Sequence, residues 1–345
     1  LSEVSSCILD DQRSMLTSVM SQKPIRRQRL LWDQFTEILT KEEEAIVKDC
    51  TDHIGCAQWG AYYKSRFLLS CVRDVMQVTG KNYNNRNHRR QFFKLLEDPQ
   101  TREHRILLAR FTPPVTHWYR DGLAYWEVVV KQVIAPRLKY GLIKRDKTRL
   151  GVLGCASGQE VYTLGMLVLK HLYDVFEYAG HASEVIEIIG YDVRQEYVDY
   201  MLKGHYRRAE KYSHQIGEDL LDAAAPSALE HGEELDRFFT VTDEGQDWLQ
   251  VNQTLRSIVS GRQRDIMQPA TEEPMFDMLI CRNVLIYCNE AGKIDVLNSW
   301  HKNLKPGGQF VSAEHDALPN ETDRVEIIRS FIPFSYSLLP KDLSP

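Results

Sequence analysis

The segment Thr148–Glu160, TRLGVLGCASGQE, decides the fold of this 345-residue chain. It begins with a short apolar strand, Arg149–Leu153, which leads directly into the turn Gly154–Gly158. From Glu160 to Leu172 the apolar residues recur at helical spacing. A strand, a glycine-containing turn and a helix in this order form the first unit of a parallel α/β sheet. The free amides at the start of such a helix can bind a ligand.

Further strands alternate with helices after this segment, which is the pattern of an α/β domain. A helix that includes Leu297 and Trp300 ends at the Pro-Gly-Gly turn Lys305–Gly308, because proline and glycine interrupt helices. The region of about 205–262 is less regular, and two short strands there, Phe238–Val241 and one that ends near Val259, are compatible with a small antiparallel β insertion. The other predicted strands are Val185–Tyr191, followed by Asp192, then Phe276–Cys281 and Gln309–Ala313.

The first third of the chain is predicted to be an all-α region. Apolar residues recur at helical spacing through residues 1–110, with no convincing alternating strand. Pro113 and Pro114 break this pattern, since proline removes a hydrogen-bond donor and disfavours helix in the residue before it. We therefore predict a helical domain over 1–110, a connector and linking helix over 111–147, and an α/β domain over 148–345.

Composition excludes several classes of protein. The chain is 43% hydrophobic and 26% charged, which is ordinary for a globular protein. Its formal net charge of −5 argues against nucleic acid as the main partner. No apolar run approaches the roughly 18–20 residues of a membrane span, so we expect no membrane insertion. The seven cysteines are irregularly spaced without a CxxC pair, so we expect reduced thiols, no metal site and a cytoplasmic location.

Two groups of residues are candidates for a ligand site. Gly154 and Gly158 would let the backbone approach a ligand, and the Asp192 carboxylate would accept hydrogen bonds from ribose hydroxyls. This turn is not the GxGxxG fingerprint, so a tight turn beside a surface aspartate is an equally good interpretation of these residues alone. Asn283 and Tyr287 follow the predicted strand Phe276–Cys281. In an open α/β sheet the carboxyl end of each strand faces the ligand-binding crevice, so both residues are expected there.

Five sequence blocks, in the same order, resemble the chemotaxis receptor methyltransferases of the CheR type. The heptad CRNVLIY is highly specific to that family, and the similarity extends over about residues 60–315. The blocks are THWYRD at 116–121, GCASGQE at 154–160, GYD at 190–192 with GHY at 204–206, CRNVLIY at 281–287 and LKPGG at 304–308.

The resemblance implies a class I methyltransferase domain that uses S-adenosylmethionine and releases S-adenosylhomocysteine. The sheet of such a domain is Rossmann-like, carries a small antiparallel insertion, which we expect at about 236–262, and follows an all-α domain. Arg120 and Tyr287 are the implied catalytic residues. The implied cofactor-binding residues are Thr116, Arg120, Gly154, Gly158, Glu160 or its neighbour Gln159, Asp192, Asp265, Ile266, Asn283 and Val284.

The activity that the resemblance implies is methyl esterification of glutamate side chains on a receptor or related signalling protein. An acidic helical partner and a monomeric enzyme are expected. Several positions depart from the family pattern. Trp118 and Tyr119 replace a Phe pair, which is a mild exchange, and the more consequential departures are Pro114, Gln159 and Arg194. They leave open a degenerate module that binds cofactor or a signalling partner without catalysis. A methyltransferase acting on another substrate is a further alternative.

Overall fold

A computed structural model describes residues 39–55, 57–112, 118–119, 122–207, 237–242, 245–268, 270–323, 325–329 and 335–340. The described chain begins with helices and continues as alternating strands and helices. The helices are α1 Lys41–His53, α2 Ala57–Tyr62, α3 Ser65–Val78, α4 Arg86–Leu96, α5 Arg102–Phe111, α6 Leu123–Val129, α7 Ala135–Lys144, α8 Gln159–Asp174, α9 Ala182–Val185, α10 Gln195–Lys203, α11 Gln253–Ser257 and α12 Glu290–Trp300.

The strands form two sheets. The main sheet has seven strands in the order β6-β2-β1-β7-β8-β10-β9, and the small sheet has three strands in the order β3-β5-β4. The strands are β1 Thr148–Leu153, β2 Ile186–Asp192, β3 His205–Arg207, β4 Phe239–Thr242, β5 Gly245–Val251, β6 Val259–Gln263, β7 Phe276–Ile280, β8 Leu304–Val311, β9 Val325–Arg329 and β10 Ser335–Pro340.

The main sheet is parallel from β6 through β8, and β10 then pairs antiparallel with both β8 and β9. Numbered along the chain within this sheet alone, the strands lie in the order 3-2-1-4-5-7-6 with strand 7 reversed. The predicted fold class, a Rossmann-like α/β sheet with a small antiparallel insertion after a helical region, is confirmed.

Two sequence-based predictions of strands need correction. The Lys305–Gly308 turn is instead part of β8, whose irregular register against β7 accommodates Gly307 at a φ of 70°. The predicted insertion at 236–262 contains β6, but β6 pairs with β2 in the main sheet. The third strand of the small sheet comes from outside that range, because β3 pairs with β5.

The helical region has its own hydrophobic core, in which Phe67, Val72 and Phe92 are buried. Helix α1 begins at a capping box: the Glu43 amide donates to the Thr40 hydroxyl, and the Thr40 amide donates to the Glu43 carboxylate. The division of the chain at residues 110 and 147 stays a prediction, and residues 1–38 lie outside the described part.

No helix in the described part of the chain is both long and apolar enough to cross a bilayer.

Candidate cofactor pocket and active site

A pocket that opens to solvent lies beside the ends of β1, β2 and β7, between the main sheet and the helical region. Strand order reverses between β1 and β7, which is where open α/β sheets bind ligands. The predicted residues on its wall are Gly154, Glu160, Asp192, Asp265, Ile266, Asn283, Val284 and Tyr287.

The glycine turn brings β1 close to the loop that follows β7. Gly154 has a φ of 74°, and a Cβ added there would lie 2.5 Å from a methyl carbon of Val284. Only glycine therefore fits at this position without a shift of the opposite wall. Gly158 also has a positive φ, 90°, but it is not on the pocket wall, and its missing Cβ leaves room for Met201. The structure thus gives Gly158 a packing role.

Asp192, at the end of β2, is a buried carboxylate on the pocket wall. Its two oxygens accept the backbone N–H groups of Ala156 (2.9 Å) and Arg194 (3.0 Å). These bonds connect the end of β2 to the glycine turn. Burial raises the pKa of Asp192 to about 6, against the opposing effect of these backbone hydrogen bonds. Arg194 itself lies outside the pocket, with its guanidinium over the ring of Tyr197 at 4.6 Å.

The first turn of α8 gives its two neighbouring residues, Gln159 and Glu160, different surroundings. Glu160 lies on the pocket wall, whereas Gln159 is buried and its side-chain oxygen accepts a hydrogen bond from the Ser157 hydroxyl at 2.7 Å. The carboxylate that the family pattern has at position 159 would therefore not face this pocket. Its replacement by glutamine leaves the acidic wall intact.

The loop after β6 contributes Asp265 and Ile266, and two buried contacts hold it in place. The indole N–H of Trp300 donates to the carbonyl of Ile266 at 2.9 Å. Arg264 forms an ion pair with the buried Glu273 at 3.0 Å. One oxygen of Asp265 accepts the Met267 amide at 3.0 Å, whereas the other is buried and has no hydrogen-bond partner among the described residues.

The heptad loop after β7 presents Asn283 and Val284 to the pocket. Asn283 has a φ of 56°, a left-handed conformation that asparagine tolerates better than most residues. The fully buried carboxylate of Asp316 stabilises this turn by accepting the N–H groups of Asn283 at 2.8 Å and Ile286 at 3.1 Å. The side-chain nitrogen of Asn283 is buried without a partner in the described part of the chain.

Tyr287, at the end of the same loop, contacts the helical region. Its ring lies 4.8 Å from that of Phe67, centroid to centroid, and its carbonyl accepts the Lys64 amide at 2.9 Å. Tyr287 thus lies where the two parts of the chain meet, on the pocket wall.

Several wall residues were missed by the sequence analysis. Helical spacing predicted an all-α region for the first third of the chain but did not single out Trp59 or Tyr63, because nothing local shows which residues of a helix face a distant sheet. Arg282 was noticed only as part of the heptad; its guanidinium lies 4.6 Å above the ring of Tyr125. The missed residues are Trp59, Tyr63, Phe111, Thr112, Ala156, Val193, Arg264 and Arg282.

Thr116 and Arg120 lie outside the described residues, so their roles stay predictions. The described part of the wall carries three carboxylates, Glu160, Asp192 and Asp265, and two guanidinium groups. This excess of carboxylates over guanidinium groups favours a cationic ligand with sugar hydroxyls over a ligand with a phosphate group. In the described chain, no group of three or more His, Cys, Asp or Glu side chains is arranged to hold a metal ion.

The strand order and the position of the pocket define a class I methyltransferase. A family model described as "CheR methyltransferase, SAM binding domain" matches residues 114–332. The chain belongs to the CheR methyltransferase family, and its cofactor is S-adenosylmethionine.

Named relatives agree with this assignment. The chain is 30% identical over 229 residues to chemotaxis protein methyltransferase 1 of Pseudomonas aeruginosa, which covers 65% of this chain and 73% of that protein. It is 25% identical over 271 residues to chemotaxis protein methyltransferase 1 of Vibrio cholerae, which covers 77% and 81%.

Among solved structures, the N-methyltransferase NodS from Bradyrhizobium japonicum, in complex with S-adenosylhomocysteine, is 15% identical to this chain. The alignment covers 54% of this chain and 64% of NodS, with a TM-score of 0.26. That score is too low to carry an argument, so the fold assignment depends on the strand order and the family match.

Proposed function

We propose that this protein transfers the methyl group of S-adenosylmethionine to glutamate side chains of a chemotaxis-type receptor or a related signalling protein, forming methyl esters. The observation that carries the proposal is an acidic pocket with two buried polar atoms that lack hydrogen-bond partners in the described part of the chain. Among the described residues, Asp265 has a buried acceptor oxygen and Asn283 a buried donor nitrogen without partners. Burying such groups is costly, and a ligand with matching polar groups removes that cost.

The wall residues fit the parts of this cofactor. Asp192 would hold the ribose hydroxyls, and Asp265 with Ile266 would hold the adenine. Gly154 and Glu160 would contact the methionine moiety, where a carboxylate attracts the positive charges of the sulfonium and amino groups. When bound, the cofactor supplies a methyl group that its sulfonium makes reactive.

The acceptor would need no strong general base. A glutamate side chain, with an ordinary pKa near 4.3, is already ionised at neutral pH. The described part of the wall accordingly contains no His, Lys or Cys. The remaining task is alignment of the acceptor oxygen. Tyr287 could donate a hydrogen bond to that oxygen, and Arg120 remains the predicted partner for its charge.

A basic surface on α4 supports an acidic protein partner. Arg86, Arg90 and Lys94 recur at every fourth residue on this helix and are all exposed. Side chains with this spacing share one helix face. The neighbouring Arg89 is engaged with Glu42 at 2.7 Å and is not part of this stripe. An acidic helix of a receptor fits such a stripe, and we expect a monomeric enzyme acting in the cytoplasm.

Calorimetric titration with S-adenosylhomocysteine tests the cofactor site. Micromolar binding is expected for the wild type, with at least tenfold weaker binding for Asp192→Ala, because a pair of charge-assisted hydrogen bonds is lost. The control is Asp199→Ala, which changes an exposed aspartate on α10 and should leave binding unaltered.

Methylation of a receptor fragment, compared with the same fragment after Glu→Ala replacement of its acceptor sites, then tests the reaction. Incorporation that persists after the replacement would contradict glutamate as the acceptor. Cofactor binding without any methyl transfer would instead favour the degenerate module.

A further inference from the structure

Two short segments join the helical region to the methyltransferase domain directly beside the pocket. We call them the clasp: residues 61–64 on one side and residues 287–292 on the other. Two backbone hydrogen bonds connect them: the Lys64 amide donates to the Tyr287 carbonyl (2.9 Å), and the Asn289 amide donates to the Tyr62 carbonyl (2.8 Å). Together these two bonds make Tyr63 and Cys288 an antiparallel bridge pair.

Asn289 has two roles in the clasp. Its side-chain oxygen accepts the Gly292 amide at 2.9 Å and so caps the start of α12. Its side-chain nitrogen donates to the carbonyl of Ala61 at 2.6 Å and reaches the carbonyl of Tyr63 at 3.5 Å. Helix capping needs only the oxygen. The nitrogen is therefore used for the contact between the two parts of the chain.

Gly292 makes the close approach possible. A Cβ added to Gly292 would lie 2.5 Å from the backbone carbonyl oxygen of Tyr62, closer than any real contact of this kind. Gly292 lies in the first turn of α12, where alanine would be the better helix former. The local preference of the helix and the requirement of the clasp thus favour different residues.

The clasp holds one wall of the pocket. Trp59 and Tyr63 lie on that wall, with their rings 5.7 Å apart, and Phe111 contacts Trp59 at 6.4 Å. Next to them, the ring of Tyr287 packs against the ring of Phe67 at an angle of 41° between the ring planes. Among the described residues, those that fit the cofactor come from residues 148–345. This leaves the aromatic side of the pocket for the acceptor.

We propose that Asn289 and Gly292 are positioning residues, which hold the aromatic wall of Trp59 and Tyr63 against the methyltransferase domain so that it forms the acceptor side of the pocket. The inference depends on the proposed function for the identity of the acceptor. Loss of the clasp would misalign the acceptor, because small displacements of positioning groups lower the reaction rate strongly. It would leave the cofactor contacts in place.

Asn289→Ser is the first test. Serine keeps an oxygen for the helix cap but loses both donor contacts to the helical region. The matched control is Asn252→Ser. Asn252 likewise caps a helix, by accepting the Leu255 amide at 2.9 Å, and donates to the Arg237 carbonyl at 2.7 Å, but it is not on the pocket wall.

Three measurements are compared for the two variants: hydrogen exchange of the backbone amides in 59–67, calorimetric affinity for S-adenosylhomocysteine, and kcat/KM on a receptor fragment. For Asn289→Ser we expect at least about fivefold faster exchange and about fivefold lower kcat/KM, with cofactor affinity within about twofold of wild type. For Asn252→Ser we expect none of these changes in the clasp or in turnover.

Gly292→Ala is the second test, with no change in hydrogen-bonding groups. We expect the same loss of acceptor turnover and the same faster exchange, even though alanine favours the helix. The proposal would be overturned if both clasp variants had the hydrogen-exchange rates and the kcat/KM of the wild type. It would also be overturned if Asn252→Ser lowered kcat/KM as much as Asn289→Ser does. If the wild type binds no S-adenosylhomocysteine, the proposed function fails, and the exchange measurement alone then decides the clasp.

Discussion

Acidification should weaken cofactor binding through Asp192. Burial raises the pKa of this carboxyl to about 6, so the group is about 90% ionised at pH 7 and about 10% ionised at pH 5. Only the carboxylate can accept ribose hydroxyls with all its remaining lone pairs, since the protonated form gives up one acceptor site. If the charged form alone binds, the apparent affinity falls about tenfold between these two pH values.

The raised pKa of Asp192 also determines how stability and cofactor binding change with pH. Because the folded-state pKa lies above the ordinary value of 3.8, ionisation of Asp192 costs the ligand-free protein about 3 kcal/mol compared with an exposed aspartate. The folded protein is therefore more stable at low pH, where Asp192 is protonated, and this stabilisation is lost as the pH rises through about 6. Cofactor binding selects the ionised form, so below pH 6 binding should release a proton.

Calorimetric titration with S-adenosylhomocysteine at pH 7, 6 and 5, in buffers of different ionisation enthalpy, measures both the affinity and the proton release. Asp192→Asn is the control, since it removes the titrating group and leaves every other charge of the pocket in place. Its affinity should be weaker at pH 7 but should change less than about twofold with pH. A wild-type affinity that stays constant from pH 7 to 5, or a variant with the same tenfold decline, would refute the assigned role of Asp192.

Three further substitutions follow from the pocket geometry. Gly154→Ala should lower the free energy of unfolding by about 2 kcal/mol and weaken cofactor binding, because its φ is 74° and its Cβ would meet Val284; thermal denaturation and calorimetry measure the two effects. Trp300→Phe should cost about 1–2 kcal/mol by leaving the Ile266 carbonyl without its donor, and equal stability of variant and wild type in urea would contradict this. Glu273→Gln should cost about 1–3 kcal/mol, since a nearly buried carboxylate loses its charge beside two arginines, and a denaturation midpoint at the wild-type value would count against this account.

Short-range signals in the sequence determined much of this protein. The strand, glycine turn and helix of 148–160 and the aspartate that ends the next strand all lie where their pattern predicts. The carboxyl ends of parallel strands share one edge, so the strand pattern alone is enough to predict that Asp192 and Asn283 lie near each other. These signals are readable because each depends on backbone preferences within a few residues.

Other features depended on pairing between distant segments. Lys305–Gly308 has the composition of a turn, yet it lies within β8 as an irregularity of the ladder. Leu304 pairs with Phe276, and the pairing with β7 resumes at Gln309 opposite Met278. The strand at 259–263 carries no mark that assigns it to the main sheet and not to the small one. The same holds for β3, which joins the small sheet from outside the expected range.

The aromatic side of the pocket was decided by tertiary structure alone. Trp59 and Tyr63 are more than 200 residues away in sequence from Tyr287 and Asn289. Helical periodicity shows which side of a helix is buried, but it does not show which other segment packs against that side. The contact exists because the Asn289 amide group and the missing side chain of Gly292 allow two backbones to approach. Local sequence therefore determined the cofactor half of the pocket, and long-range packing determined the other half, because only packing brings distant segments of a chain to one place.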